Sequence, residues 1–267
     1  MQRDWDDAFA NMAHIPGAES IVAAWPRDAA ALRAATKAEL DVPYGSGTRT
    51  RFDLFFPDGP PKGVVVFVHG GYWMRFGRED FSHLARGALE AGYAACLPSY
   101  TLAPEARIAD ITREIANAVQ RVASVVAGPI LLSGHSAGAH LVLRLICDDS
   151  PLSASVLARI ARVTGIGGVY DLRPLLMTNL NWTLHLDGPE AALESPILRR
   201  PKVTVPTTIW VGADERPEFV RQSRAMAMMW DGLGADVTLV EDPGKHHFGV
   251  IDGLCDAASP LMRAVLG

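Results

Sequence analysis

Short runs of aliphatic and β-branched residues alternate along this chain with longer segments in which apolar positions recur every three or four residues. The runs Thr50 to Phe55, Val64 to His69, Ala94 to Leu97, Ile130 to Ser133, Val163 to Val169, Thr207 to Val211 and Val237 to Glu241 read as strands. Several are apolar on both alternating faces, which fits strands covered from two sides. Between them, Phe81, Leu84, Ala85, Ala88 and Leu89 mark one apolar stripe, and Ile108, Ile111, Ile115, Val119 and Val122 mark another. These spacings predict crossover helices. Ala137 to Cys147 is apolar nearly all round apart from His140 and Arg144, so a helix inside the fold is expected there. The alternation as a whole predicts the α/β class, a mostly parallel sheet with helices on both faces.

Two stretches escape the pattern. The first forty residues are Ala-rich with helical character, and residues 171–201 hold Leu175, Leu176, Trp182 and Leu184 without clean periodicity. Stretches of this length inside a compact domain tend to be lids or binding elements, so we expect 1–40 to form a helical cover and 171–201 a small lid on a single domain spanning 1–267.

At 267 residues and about half apolar, the chain can bury a sizeable core. Its formal charge of −5 is scattered, without a block of like charge, so a small-molecule substrate is expected rather than a nucleic-acid or membrane partner. Cys96, Cys147 and Cys255 are odd in number and far apart, giving neither a disulfide framework nor metal-ligand spacing. They read as reduced structural residues. Met1 to His14 is too charged for a signal peptide, and the expectation is a soluble cytoplasmic protein. The oligomeric state stays open between a monomer and a homodimer.

The chemistry gathers at four places. Gly134-His135-Ser136-Ala137-Gly138 directly follows a predicted strand and opens the apolar helix, the context in which a G-x-S-x-G turn holds a nucleophilic serine at a helix N-terminus. His69-Gly70-Gly71-Tyr72-Trp73 ends an earlier strand, where main-chain N–H groups of Gly71 and Tyr72 can join that of Ala137 in an oxyanion hole. A serine hydroxyl needs a base, and His246-His247 follows the last strand. An acid must orient that base, and Asp214 and Glu215 both leave the end of the strand Thr207 to Val211. Tyr72, Trp73 and Phe248 are either aromatic contacts for a leaving group or core residues, and Arg173 either meets a substrate carboxylate or sits in a salt bridge. His135 and His140 are five apart and no H-E-x-x-H is present, so neither a metal nor another cofactor is expected.

These motifs resemble the kynurenine formamidases (arylformamidases) among the serine hydrolases of the α/β-hydrolase fold. The resemblance runs from about residue 40 to 255. It rests on His69 to Trp73 as H-G-G-x-W, Gly134 to Gly138, Glu215-Arg216-Pro217-Glu218-Phe219, and His247-Phe248-Gly249-Val250-Ile251. Tyr44-Gly45 with Asp53, Tyr100 with Leu102-Ala103-Pro104, and Tyr170 to Pro174 add to it. It implies an α/β-hydrolase fold with Ser136 as nucleophile and His247, rather than His246, as base. Counting back from Pro217-Glu218-Phe219, it puts the acid on Glu215 where the family commonly has Asp, which keeps Asp214 open.

The activity so implied is hydrolysis of N-formyl-L-kynurenine to kynurenine and formate, with Trp73 and Phe248 as substrate contacts. A carboxylesterase acting on short-chain acyl esters is the alternative. A non-catalytic binding protein of the same fold is a third reading, set against the retained triad and oxyanion residues.

Overall fold

The structure, a computed structural model, describes residues 3–267. Eight strands form one sheet in the order β1-β2-β4-β3-β5-β6-β7-β8. They are β1 (Ala38–Pro43), β2 (Arg51–Phe55), β3 (Val64–Val68), β4 (Ala94–Pro98), β5 (Ile130–His135), β6 (Ile160–Ile166), β7 (Thr207–Gly212) and β8 (Val237–Asp242). The β1/β2 and β2/β4 pairs are antiparallel, and all others are parallel.

The period of two decides which layer each side chain enters. In β3, Val64, Val66 and Val68 join one hydrophobic cluster, whereas Val65 and Phe67 join the other. The helices follow the same division. Ile108–Ala123 buries its predicted stripe of Ile108, Ile111, Ile115, Val119 and Val122 in the first cluster, beside the fully buried Ala137–Arg144. Helix Ala18–Ala35, through Trp25 and Leu32, and helix Pro260–Leu266, through Leu261 and Val265, cover the second.

The structure departs from the sequence reading at four places. Strand β1 falls partly within the stretch expected to be helical. It lies at the sheet edge, largely exposed, with an irregular register between Glu39 and Val42 and with Asp41 at φ 60°, so it lacks a clean alternation. β6 begins at Ile160 and stops at Ile166, because Gly167 turns the chain at φ 52°. The stripe from Phe81 to Leu89 is broken into helix Arg78–Phe81, a 3-10 turn Ser82–Ala85 and helix Arg86–Glu90. The apolar helix from Ala137 ends at Arg144, and Cys147 instead forms an isolated bridge with Pro201.

Parts of both irregular stretches reach the end of β5: Phe9, Met12, Val22 and Trp25 from the first and Leu180 from the second line one cavity with Ser136. Residues 173–198 form short helical turns anchored to helix Ala137–Arg144 through Glu194. Its carboxylate takes Arg144 Nη2 at 3.2 Å and the Thr112 hydroxyl at 2.8 Å, and its carbonyl meets His140 Nε2 at 2.6 Å. On the other side, Gln222 Oε1 accepts the N–H groups of Tyr170 and Asp171 at 2.7 and 2.9 Å. Among the described residues no helix is long and apolar enough to cross a membrane.

Candidate active site

β5 ends in a turn that only a narrow set of residues permits. Ser136 adopts φ 56°, ψ −119°, and the helix starts at Ala137, an unfavourable backbone for a residue with a Cβ and one found where function demands it. The neighbours must therefore be glycine. A Cβ on Gly138 would lie 1.9 Å from the Val68 carbonyl oxygen, and one on Gly134 would lie 2.3 Å from that of Gly138. The turn is locked across the sheet by the Ser136 N–H, which donates to the Ile166 carbonyl at 2.8 Å.

The loop after β3 supplies the facing wall. Gly71, Tyr72 and Trp73 all have positive φ, at 101°, 52° and 57°. Main-chain bonds from Met74 and Arg75 to the Gly71 carbonyl, at 3.0 and 3.1 Å, close the loop on itself. Among the described residues no backbone hydrogen bond runs from the N–H of Gly71, Tyr72 or Ala137, so the three expected donors remain uncommitted. His69 braces this loop from below, with Nδ1 2.8 Å from the Gly70 carbonyl and its ring stacked on Tyr100 at 4.4 Å. Burial holds its pKa down to about 4, so the imidazole is neutral.

His247 and Glu215 meet across the ends of β7 and β8. His247 Nδ1 lies 2.5 Å from Glu215 Oε2, and both side chains are almost wholly buried. Glu215 Oε1 accepts the Gly212 N–H at 2.9 Å. Asp214 stands exposed on the same turn. His246 instead receives main-chain N–H groups of Phe248 and Gly249 on Nδ1, at 3.2 and 3.1 Å. The His247 ring packs between Phe219 and His135, with centroids 4.6 and 4.5 Å away. His135 Nε2 lies 2.9 Å from the His247 carbonyl. Burial, together with the neighbouring His247, pushes the His135 pKa well below its ordinary value, which leaves a neutral ring donating to that carbonyl. Sequence patterning gave His135 no role; its place inside the elbow motif was the available signal.

Ser136, His247, Gly71 and Tyr72 line one cavity of about 370 Å³. Its remaining wall is mostly apolar, with Asn11 and Arg75 among it, and draws on the N-terminal segment through Phe9, Met12, Val22 and Trp25 and on the 171–201 stretch through Leu180. The Tyr72 hydroxyl donates to the Phe9 carbonyl at 2.6 Å, tying that segment to the loop. Phe248 lines the cavity, edge-on to Trp25 at 5.4 Å.

Trp73 does not reach the cavity, which corrects its expected role as a substrate contact. It is fully buried beneath the loop, edge-on to His140 at 5.1 Å, and its carbonyl accepts the Ala103 N–H at 2.8 Å. The positive φ at Trp73 sends the side chain into the core. Arg173 forms a salt bridge with Asp171 at 2.8 Å. Glu218 and Phe219 also have structural partners: the Glu218 carboxylate binds Arg3 and Arg221 at 2.9 and 2.7 Å, while Phe219 carries the His247 ring. Asp53 is fully buried and bridges Arg33 and Arg78, at 2.6 and 3.0 Å. Among the described residues no three His, Cys, Asp or Glu side chains gather as a metal would require.

The chain as a whole is similar to known proteins. Residues 65–250 match the family described as alpha/beta hydrolase fold. The chain is similar to a kynurenine formamidase of Danio rerio, 27% identical over 245 residues that cover 88% of this chain and 83% of the relative. It is similar to that of Salmo salar as well, 28% identical over 239 residues, 85% and 80% of the two chains. Among solved structures, one described as a candidate thioesterase from Silicibacter sp. TM1040 is 43% identical, covers both chains fully and superposes with a TM-score of 0.95. An esterase of Pyrobaculum calidifontis, 19% identical over 92% of this chain and 94% of its own, superposes with a TM-score of 0.69.

Proposed function

Because the chain belongs to the α/β-hydrolase fold family, we propose that it is a serine hydrolase that cleaves a small formamide or acyl bond, with N-formyl-L-kynurenine as its substrate. The observation that carries the chemistry is the meeting of the strained Ser136 turn, the Gly71–Tyr72 loop with its uncommitted main-chain donors and His247, held by Glu215, at one largely apolar cavity. The curated formamidase relatives support the substrate.

Ser136 Oγ attacks the formyl carbon while its proton passes to His247. With Nδ1 engaged by Glu215, Nε2 is the nitrogen left to receive it. The carbonyl oxygen becomes an oxyanion held by the N–H groups of Gly71, Tyr72 and Ala137. Collapse breaks the C–N bond as His247 returns its proton to the departing arylamine. Water then attacks the formyl-serine, giving up a proton to His247, and formate leaves with Ser136 restored. The walls of Phe248, Trp25 and Phe9 suit an aromatic leaving group through apolar contact and offset stacking.

Ester or thioester hydrolysis by the same residues is the second reading, favoured by the 43% identical structure described as a candidate thioesterase. Steady-state kinetics separate the two. The formamidase reading expects kcat/KM on N-formyl-L-kynurenine of about 10⁴ M⁻¹s⁻¹ or more, far above p-nitrophenyl acetate and butyrate, and nearly complete loss in Ser136→Ala. Turnover of the esters alone would move the assignment to the second reading.

A further inference from the structure

The catalytic cavity adjoins a second one of about 470 Å³, and Phe9, Ala10, Met74, Arg75 and Leu180 line both. Arg75 is the only Asp, Glu, Lys or Arg on the wall of the catalytic cavity. Its main chain belongs to the oxyanion loop, since its N–H donates to the Gly71 carbonyl at 3.1 Å. Its side chain is exposed and, among the described residues, has neither an ion pair nor a hydrogen bond. The neighbouring Arg78, by contrast, is held by Asp41, Asp53 and Ser99. A guanidinium left without a structural partner at the junction of an apolar reaction chamber and an outer chamber is placed to meet charge on the part of a substrate that extends outward.

The outer chamber limits what that charge can be. Its wall also carries Asp6, whose Oδ1 accepts the Asn179 N–H at 2.7 Å. One cation beside one carboxylate suits a group bearing a single negative charge, or a carboxylate paired with an ammonium. It disfavours a polyphosphate, which Asp6 would repel and Arg75 alone could not neutralise.

We infer that Arg75 is a specificity-determining residue that binds a carboxylate on the leaving group, so that the enzyme takes aryl acyl substrates whose leaving group carries one carboxylate. This rests on the serine hydrolase reading above, and it names the recognition that a formamide of an aromatic amino acid would use.

The test compares 3-acetoxybenzoate with phenyl acetate, a pair that differs only in the carboxylate, in the wild type, Arg75→Gln, Arg75→Lys and the charge-matched control Arg86→Gln. The wild type should prefer the carboxylate ester through a lower KM. Arg75→Gln should reduce that preference about tenfold, the size of one charge-assisted hydrogen bond, with kcat for the anionic ester little moved. Arg75→Lys should keep part of it and Arg86→Gln all of it. Raised salt should weaken the wild-type preference, since the side chain is exposed. No preference in the wild type, or a preference that survives Arg75→Gln, overturns the inference. Calorimetric binding of 3-hydroxybenzoate gives a readout independent of turnover. Binding that depends on Arg75 in a protein that cleaves neither ester nor formamide would sink the hydrolase reading and leave the anion site standing, whereas turnover without Arg75 dependence would do the reverse.

Discussion

His247 Nδ1 and Glu215 Oε2 are 2.5 Å apart in a buried setting, while the other oxygen of the same carboxylate accepts the Gly212 N–H at 2.9 Å. The two contacts divide the work. The main-chain bond fixes the carboxylate at the end of β7, and the remaining oxygen then fixes the ring and its tautomer. The carboxylate of Glu215 packs against Gly167, where an added Cβ would sit 2.8 Å from Oε1. Asp214, one residue earlier, is turned outward to solvent.

Glu215→Gln should therefore lower kcat by about 10³- to 10⁴-fold with a small change in KM, because an amide can donate to Nδ1 and so favour the wrong tautomer. Asp214→Asn should stay within about twofold of wild type, as a surface substitution without a special contact does. Steady-state kinetics of the two variants check this, and the reverse ranking would move the acid to Asp214.

Trp73 belongs to the core, so its replacement should act on stability rather than on substrate affinity. Trp73→Ala should cost about 3–5 kcal/mol in chemical denaturation, as loss of a fully buried aromatic side chain does. Trp73→Phe should cost less and leave KM for an aryl substrate within about twofold. A large rise in KM for folded Trp73→Phe would return the residue to the binding surface.

The site was legible wherever a motif coincides with a strand end. Gly134 to Gly138 and His69 to Trp73 each follow an apolar run, and period-two burial places those runs in the sheet. What patterning could not supply is side-chain direction in loops of positive φ. Tyr72 and Trp73 are adjacent aromatic residues, yet one lines the cavity and the other is core. The choice between Asp214 and Glu215 likewise depends on how a turn of a few residues is closed, here by the Asp214 N–H bonding to Lys245 at 3.1 Å. The edge strand β1 escaped detection because an exposed, bulged edge needs no alternation. Arg75 carries no signal in the sequence, because a single arginine acquires meaning only when the cavities on either side of it are known.

Buried histidines, His135 among them, make stability depend on acidity. Burial lowers the pKa of His69, His83 and His140 to about 4 in the folded protein, against about 6.5 in an unfolded chain. Between these values the unfolded chain binds more protons, so stability falls as pH drops from about 6.5 toward 4, and the contribution is complete above 6.5. Unfolding midpoints measured from pH 8 to pH 4 should be flat at first and then decline. His140→Gln should reduce proton uptake on unfolding near pH 5 by about one. A midpoint unchanged between pH 6.5 and 4.5 would contradict the buried neutral state.

Tyr72 combines two functions that one substitution can separate. Its main-chain N–H is proposed for the oxyanion hole, whereas its hydroxyl donates to the Phe9 carbonyl at 2.6 Å and lies 3.4 Å from Asn11 Nδ2. Phe9 and Asn11 line the cavity, so this hydroxyl fastens the N-terminal wall to the loop that follows β3. Burial raises the phenol pKa above its ordinary value, so the group stays a hydrogen-bond donor through the working pH range. Tyr72→Phe keeps the ring and the N–H and removes only the fastening. Stability should fall by about 1 kcal/mol, the net worth of one such bond, and limited proteolysis should cut the segment around residues 9–14 sooner. KM should rise a few-fold as the wall loosens, while kcat should fall by much less than the roughly 10²-fold that follows loss of an oxyanion donor. A loss of kcat of that larger size, with the N-terminal segment still protected, would mean that the hydroxyl itself acts in the reaction and that the division between main chain and side chain is wrong.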